Sequence, residues 1–546
     1  MTEYCIALDI GTSGLRAQLL DKENGKTVAT SITARHPIPG MNVMDHVNYA
    51  MTSGRDVATG LLITAINSLF SSFETDLSKV KTVAVCGNPF QLSLFQNIEI
   101  RDLAYAGKNM LKTLGVVSPP RDGDIVKASD LGLKGMPDAM VIIPPAVTHE
   151  IGADAIAMLL ITDVLDSKEP CIVVDYGTNA EMALVLNGNV YTGSAAAGPA
   201  LEGQQIEKGM LASPGAIADV DAGEEGWKCT VLDGSMKDSP GDTVDPLTGE
   251  VKTKGPMHGK AKGITGTGVV ASIFCGIESG IVTQPMINSP DELLHLQDGI
   301  NISSRDIDEA GKAIGALRAG FLTLLIEAGI WTDDVKLAYM SGASGLYVDA
   351  KKALGIGMVV PGAERIIQFG NTSIELARRL AKGEVSNDSL REFAKRLRAT
   401  HCMFATAKAF KDIYSIEYSL WSQGMPASEY NNMMDVYGLP HIPDPIPNPE
   451  VVRKSMTDLP DTDSVRIKIL ENAGTVLTGV IDGCTECGSC VEECPEDAIT
   501  IVRVEEKVFG KIQSDRCAGT ACRRCQRICP DSVLKISPFV MTGQLS

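Results

Sequence analysis

Eight of the chain's 14 cysteines fall in its last stretch, in two runs. The first is Cys484-x2-Cys487-x2-Cys490-x3-Cys494-Pro495 and the second is Cys517-x4-Cys522-x2-Cys525-x3-Cys529-Pro530. Short Cys-x2-Cys loops let three thiolates converge on one face of a cubane iron–sulfur cluster. The fourth cysteine lies just beyond, and the proline after it turns the chain away. Structural zinc and a disulfide framework are the competing chemistries. Zinc sites are usually two cysteine pairs with a longer gap between them, and disulfides need an oxidising compartment. The spacing therefore favours clusters, and two clusters imply one-electron transfer.

The first run reproduces the spacing of bacterial two-cluster ferredoxins, in which the fourth cysteine ligates the other cluster. That similarity assigns Cys484, Cys487, Cys490 and Cys529 to one 4Fe-4S cluster. It assigns Cys494, Cys517, Cys522 and Cys525 to the other. The second run departs from the pattern, because Ala518 to Ala521 separate its first two cysteines. The longer loop leaves Cys517 able to ligate and changes the exposure of that cluster. Cys5, Cys86, Cys171, Cys229, Cys275 and Cys402 have no ligand spacing and are expected as small buried apolar residues.

A second chemistry sits in the rest of the chain. Asp9-Ile-Gly-Thr-Ser-Gly14 and Asp175-Tyr-Gly-Thr-Asn179 each follow an apolar strand and precede an alternating one. Each reads as a hairpin with glycine at its tip, where no side chain blocks the approach of backbone N–H groups to a phosphate. Thr12, Ser13, Thr178 and Asn179 add donors. Asp9 and Asp175 are the catalytic candidates, able to hold Mg²⁺ through water or to orient an attacking water. No Gly-x4-Gly-Lys-Ser/Thr loop occurs. Gly266-Thr-Gly268 fits a loosened dinucleotide fingerprint, but it lacks a strong preceding strand and a suitably spaced acidic residue.

The paired turns resemble the first and second phosphate motifs of the acetate/sugar kinase–Hsp70–actin superfamily. Ala338-Tyr-Met-Ser-Gly-Ala-Ser-Gly345 resembles its adenosine motif. The resemblance implies a duplicated ribonuclease-H-like ATPase core of α/β class. ATP with Mg²⁺ would bind in a cleft between two halves, through Gly11, Thr12, Ser13, Gly177, Thr178, Asn179, Gly342 and Gly345. With the cysteine runs, the expected fold is this core followed by an α+β bacterial-type ferredoxin domain. Joining ATP to clusters makes sense when an electron must go uphill, since differential binding of ATP to two conformers offsets the cost.

Further segments, Gly193–Met210, Gly263–Gly268, Phe369–Ser373 and Val85–Phe95, resemble the reductive activators of corrinoid proteins, in the methanogen form with clusters at the C-terminus. The resemblance covers nearly the whole chain. It implies an ATP-dependent oxidoreductase that returns inactive Co(II) corrinoid proteins to Co(I). The implied partners are corrinoid proteins of methylamine methyltransferase systems, with methanol systems also open, and a low-potential electron donor. A monomer is expected, since one chain can complete both clusters. The alternatives are an activator of the 2-hydroxyacyl-CoA dehydratase type, a small-molecule kinase with a redox tail, and an ATP-dependent scaffold. His149 lies in a suggestive loop, although a lone histidine is more often structural.

At 546 residues the chain exceeds one core, so several domains must position these groups. The expected division is 1–170 and 171–438 for the two halves, 439–464 for a Pro-rich linker and 465–546 for the ferredoxin domain. Asp221 to Lys262 reads as a polar surface excursion. Ser303–Asp306 reads as a capping box opening an amphipathic helix to about Gly329. A net charge of -19 argues against nucleic acid as a partner. No apolar run approaches the ~20 residues of a membrane span, and Met1 to Ile6 reads as a strand rather than a signal sequence, so a cytoplasmic protein is expected.

Overall fold

The computed structural model describes residues 2–541 apart from 105–107, 178, 196–204, 456, 463, 464, 466, 537 and 538. The first Asp-x-Gly-Thr segment is a hairpin turn in it, and the second joins two antiparallel strands. Strands β1 (Tyr4–Ile10) and β2 (Leu15–Asp21) pair antiparallel with Asp9 opposite Arg16, and β3 (Thr27–Thr33) pairs antiparallel with β2. On the other side, β4 (Val80–Gly87) runs parallel to β1. The edge strand β5 (Asp124–Lys127) pairs antiparallel with β6 (Met140–Ile143), which is parallel to β4. From Cys5 onward β1 is buried on both faces, as its apolar run requires for a central strand.

The same order recurs later. Strands β7 (Cys171–Tyr176), β8 (Ala180–Leu186) and β9 (Asn189–Ala195) form an antiparallel meander. Leu337–Ser341 runs parallel to β7, Arg365–Gln368 parallel to that strand, and Glu450–Arg453 closes the sheet. This is the duplicated α/β core expected from the two turns. Glu450–Arg453 lies inside the segment read as a linker. The prolines pause between Pro449 and Pro460, and an edge strand needs a partner on one side only, so four residues in that gap suffice.

The long helix Ser304–Ala328 starts at the capping box, with Ser303 and Asp306 bonded reciprocally, and ends at left-handed Gly329. The polar insert is a meander of Ala216–Gly223, Gly226–Leu232, Asp238–Val244 and Val251–Thr253. Asp221–Gly223 are exposed, as a surface excursion requires, but Trp227, Cys229, Val231 and Val244 within the insert are buried, and the strand leading into it is anchored from the following helix. Thr265 Oγ1 and Thr267 Oγ1, at the start of helix Gly266–Glu278, donate to the Ile217 and Ala218 carbonyls (3.2 and 2.8 Å). Ile217 and Val220 are buried.

The chain packs as two units whose limits differ from the sequence division. One holds Met1–Ala157, Ser373–Arg396 and Asp461–Ser546, and the other Met158–Thr372 and Leu397–Pro460. The segment Ser373–Arg396 is tied into the first unit by Arg378. Its buried guanidinium donates to Gln18 Oε1 (2.6 Å) and Thr27 Oγ1 (2.8 Å) and pairs with Asp461.

In the C-terminal domain Ile499–Val504 and Lys507–Gln513 form a hairpin, with Val476–Val480 antiparallel on its open side and Val540–Met541 beyond. Phe539 fills the space over Gly479 and Gly510, where a Cβ would come within 2.2 and 2.6 Å of its ring. Ile467–Leu470 adds parallel to β3, so this domain begins as a strand of the first half's sheet. Among the described residues, no helix is long and apolar enough to cross a membrane.

Candidate cluster-binding and nucleotide-binding sites

The fold places the eight C-terminal cysteines in two groups of four. Cys484, Cys487, Cys490 and Cys529 line one cavity of about 370 Å³, walled by Ile481 and Leu534. The loop doubles back through Glu486 (φ 57°) and Gly488 (φ 80°), which aims successive thiols inward. Cys529 arrives from the other run, as the ferredoxin spacing anticipates. Glu486 N–H donates to Cys484 Sγ (3.4 Å). Burial pushes the Cys490 thiol up, and Cys484, Cys487 and Cys529 are close enough to add to the shift.

Cys494, Cys517, Cys522 and Cys525 form the other group. Burial pushes Cys517 up to about 11, with Cys494 and Cys522 adding to it. Burial pushes Cys525 up to about 12, with Cys517, Cys494 and Cys522 adding to it. Ala498 N–H donates to Cys494 Sγ (3.3 Å) and Gly519 N–H to Cys517 Sγ (3.4 Å). The extra residues between Cys517 and Cys522 become a helical turn, Gly519–Cys522, whose Gly519 backs onto Gly40. Cys517 and Cys525, desolvated thiols with two more cysteines beside them, are a poor arrangement for the apo protein. They fit a cationic metal cluster that draws all four protons off. Both sets therefore fit a cubane.

The first turn is equally built. Asp9, 4% exposed, pairs with Arg16 (3.4 Å) at the end of β1. A Cβ at Gly11 would lie 3.0 Å from Gly14 O and 3.3 Å from Arg16 Nη1, so the turn closes only around a glycine. Thr12 Oγ1 accepts from Asn88 Nδ2 (3.2 Å). Asn88 also caps helix α3 (Pro89–Phe95) in chain order after α1 (Val43–Ser53) and α2 (Arg55–Ser71).

Asp154, which sequence reasoning missed, belongs to this cluster. It sits in the first turn of the helix Ala153–Ile161. Its carboxyl is pushed up to about 6 by burial, with Asp9 adding to the rise against its bond from Ala155 N–H. Gly152 before it is obligatory: a Cβ there would lie 2.7 Å from Pro89 Cδ and 3.0 Å from Asn88 Cα. The Gly152-x-Asp154 pair after Pro144-Pro145 was the available signal. His149 is 44% exposed and lies 3.7 Å from Glu150, outside this cluster.

In the second unit Asp175, next to last in β7, accepts from Ser341 Oγ (3.1 Å). Gly342 has φ 81°, and a Cβ on it would lie 2.5 Å from Asp175 Oδ1. A Cβ on Gly345 would lie 3.0 Å from Tyr176 Cδ2 and 3.2 Å from Met340 C. Tyr176, Gly177, Gly266, Thr267, Ser344 and Val348 line a cavity of about 310 Å³. Gly266-Thr-Gly268 thus opens a helix beside the second turn, and the strand before it is only the two residues Gly263–Ile264. Thr178 lies outside the described residues, as do 196–204 of the Gly193–Met210 segment. Asn179 lies between the turn and β8.

Family descriptions match nearly the full length. The RACo middle region matches residues 4–167, the C-terminal domain of RACo, the ASKHA domain, matches 169–431, and a 4Fe-4S dicluster domain matches 483–533. The Co(II) methylated amine-specific corrinoid protein reductase of Methanosarcina barkeri is 47% identical over 519 residues, 95% of this chain and 96% of the relative. The corrinoid activation enzyme RamQ of Eubacterium limosum is 26% identical over 370 residues, 65% of this chain and 60% of the relative. A solved reductive activator for corrinoid, iron-sulfur protein superposes with a TM-score of 0.61 at 22% identity, covering 76% of this chain and 66% of that one, which supports the shared fold.

Proposed function

The chain belongs to the reductive activators of corrinoid proteins, and on that premise we propose that it reduces the inactive Co(II) corrinoid protein of a methylamine methyltransferase system to Co(I), with ATP driving the step. The observation that carries this reading is the 47% identity over 95% of the chain, which spans both halves of the core and the cysteine runs together. Methylated amines are the substrate class in that relative's name, and a methanol system is the nearest alternative. A low-potential donor supplies the electron, and the chain works as a monomer in the cytoplasm.

Cys484, Cys487, Cys490 and Cys529 hold one 4Fe-4S cluster, and Cys494, Cys517, Cys522 and Cys525 the other. When bound, the two clusters supply one-electron transfer. The N–H groups of Glu486, Ala498 and Gly519 that face cysteine sulfurs stabilise the thiolates and tune their potential. Each ~59 mV of unfavourable potential costs about 1.4 kcal/mol for one electron, and ATP offsets it.

The nucleotide is held by backbone N–H groups at Gly11, Thr12 and Ser13 in one turn and Gly177, Thr178 and Asn179 in the other. Gly342 and Gly345 leave room for the adenosine side. Asp9 and Asp175 position Mg²⁺ through water. Asp154, whose pKa near 6 leaves it ionised at neutral pH yet basic for a carboxylate, accepts the proton of the attacking water. A test is the anaerobic ATPase rate with and without a Co(II) methylamine corrinoid protein. Stimulation by the Co(II) form but not by the Co(I) form is expected. An ATPase rate indifferent to corrinoid protein, alongside sugar or acyl phosphorylation, would point to the kinase alternative.

A further inference from the structure

A line of contacts, half-buried at its ends and buried at Gln91, His46 and His36, runs from the first phosphate turn to the Cys517 loop, entirely within the first unit. Asn88 Nδ2 donates to Thr12 Oγ1 (3.2 Å), and Asn88 Oδ1 accepts from Gln91 N–H (2.9 Å) as the cap of α3. The Gln91 side chain is fully buried and meets His46 Nδ1 at 2.9 Å. His46, on α1, stacks on His36 with ring centroids 4.1 Å apart. His46 also lies under Gly40, where a Cβ would come 3.0 Å from its Cδ2. Gly40 N–H then donates to the Cys517 carbonyl (2.9 Å), and Ser514 Oγ donates to the Pro37 carbonyl (2.7 Å).

This core is made of the wrong material for packing alone. Among the described residues, His36 Nε2, His46 Nε2 and Gln91 Oε1 are buried without a hydrogen bond of good geometry. Poorly paired buried polar atoms are destabilising, and apolar residues of similar volume would avoid that. Polar side chains of fixed geometry, bonded end to end, transmit a small displacement better than an adaptable apolar packing does.

Resting on the cluster and nucleotide sites proposed above, we propose that Gln91 and His46 are positioning residues that couple occupancy of the first phosphate turn to the loop holding Cys517. A phosphate at the turn competes with Asn88 for Thr12 Oγ1. Asn88 caps α3, so its displacement moves Gln91. Gln91 moves His46, and His46 moves Gly40. The carbonyl of Cys517 follows, and with it the Gly519 N–H bond to Cys517 Sγ (3.4 Å) that tunes the potential of that site. The extra helical turn between Cys517 and Cys522, which backs onto Gly40, is the part of the second cysteine run that makes this contact.

The test uses the full cluster-loaded protein under anaerobic conditions, with Mg-AMPPNP as the probe and redox titration followed by EPR. In the wild type, AMPPNP changes the reduced-to-oxidised ratio of the cluster that Cys525→Ser removes by about tenfold at fixed solution potential, which is 59 mV for one electron. In Gln91→Met the change falls below roughly twofold, while AMPPNP affinity for the oxidised protein and iron content stay at wild-type values. Calorimetry and iron analysis on the same samples separate the two levels of the argument. A wild type that binds no AMPPNP or holds no clusters overturns the functional reading beneath the proposal. A wild type that binds both without a shift, or a Gln91→Met variant with the full shift, overturns the coupling itself. Should Gln91→Met not fold, hydrogen exchange on the wild type decides: AMPPNP must alter exchange at the Gly40 amide, and unchanged exchange over residues 36–46 refutes the relay.

Discussion

Gly342→Ala probes the second phosphate turn at its tightest point. Gly342 has φ 81°, and a Cβ there would lie 2.5 Å from Asp175 Oδ1. The left-handed backbone costs a non-glycine residue about 1–2 kcal/mol. The overlap matters more, because the Asp175 carboxylate must swing away and give up the bond it accepts from Ser341 Oγ (3.1 Å). A hydrogen bond to a charged group is worth about 1.5–3 kcal/mol. At about 1.4 kcal/mol per factor of ten, losing the oriented carboxylate weakens Mg-AMPPNP binding about 10- to 100-fold. Calorimetry under anaerobic conditions measures the affinity, and cluster EPR checks that the first unit is intact. Binding within about twofold of wild type, in a folded variant, would refute the placement of Asp175 in the nucleotide site.

Other perturbations reach the remaining parts. Asp154→Asn abolishes the acid limb of the ATPase pH profile, which in the wild type falls as pH drops through about 6. Because the folded pKa is raised, the stability contribution of Asp154 is full below its ordinary value of 3.8 and is lost as pH rises through 6. The rise corresponds to about 3 kcal/mol, so Asp154→Asn is stabilising at pH 8 and neutral near pH 4, as denaturant melts at the two pH values will show. Cys529→Ser removes the EPR signal that Cys484→Ser removes and spares the one lost in Cys525→Ser; the reverse result would disprove cross-ligation between the runs. Glu417→Gln leaves Arg318, 3.6 Å away, without its buried counter-charge; the amide keeps one oxygen for Trp421 Nε1–H (3.2 Å), and the Tyr430 hydroxyl, bonded to the other oxygen, turns to accept from the amide N–H. A loss of about 3–5 kcal/mol is expected, read as a lower denaturant midpoint.

What could be read from the sequence was what chemistry fixes by residue type and spacing. Cubane ligation is made by cysteine thiolates at short fixed spacings, so both runs could be recognised and grouped before any fold was known. A glycine-tipped turn after a strand ending in Asp is also local, and the duplicated sheet followed from finding it twice. The capping box at Ser303 predicted a helix start because both partners lie within one turn.

The features that escaped depend on distant chain segments. Asp154 draws its elevated pKa from burial and from Asp9 on another strand, and neither is visible in its neighbours. Glu450–Arg453 is too short, and too close to prolines, to compete with a linker assignment. Arg378 looks like an ordinary helix-surface arginine until Gln18 and Thr27 are found beside it. Asp221–Lys262 is polar enough to suggest a surface loop, and the scattered apolar residues it buries, Trp227, Cys229, Val231 and Val244, do not stand out in its sequence. The Gln91–His46 contact joins residues 45 positions apart with no sequence motif.

The most direct test of the central claim is the visible spectrum of a Co(II) methylamine corrinoid protein mixed anaerobically with the pre-reduced protein, with and without Mg-ATP. The account predicts that Co(I) appears only with ATP, and that Asp9→Asn and Asp175→Asn variants with intact clusters fail to produce it. Persistence of Co(II) beside reduced clusters in the presence of ATP would contradict it.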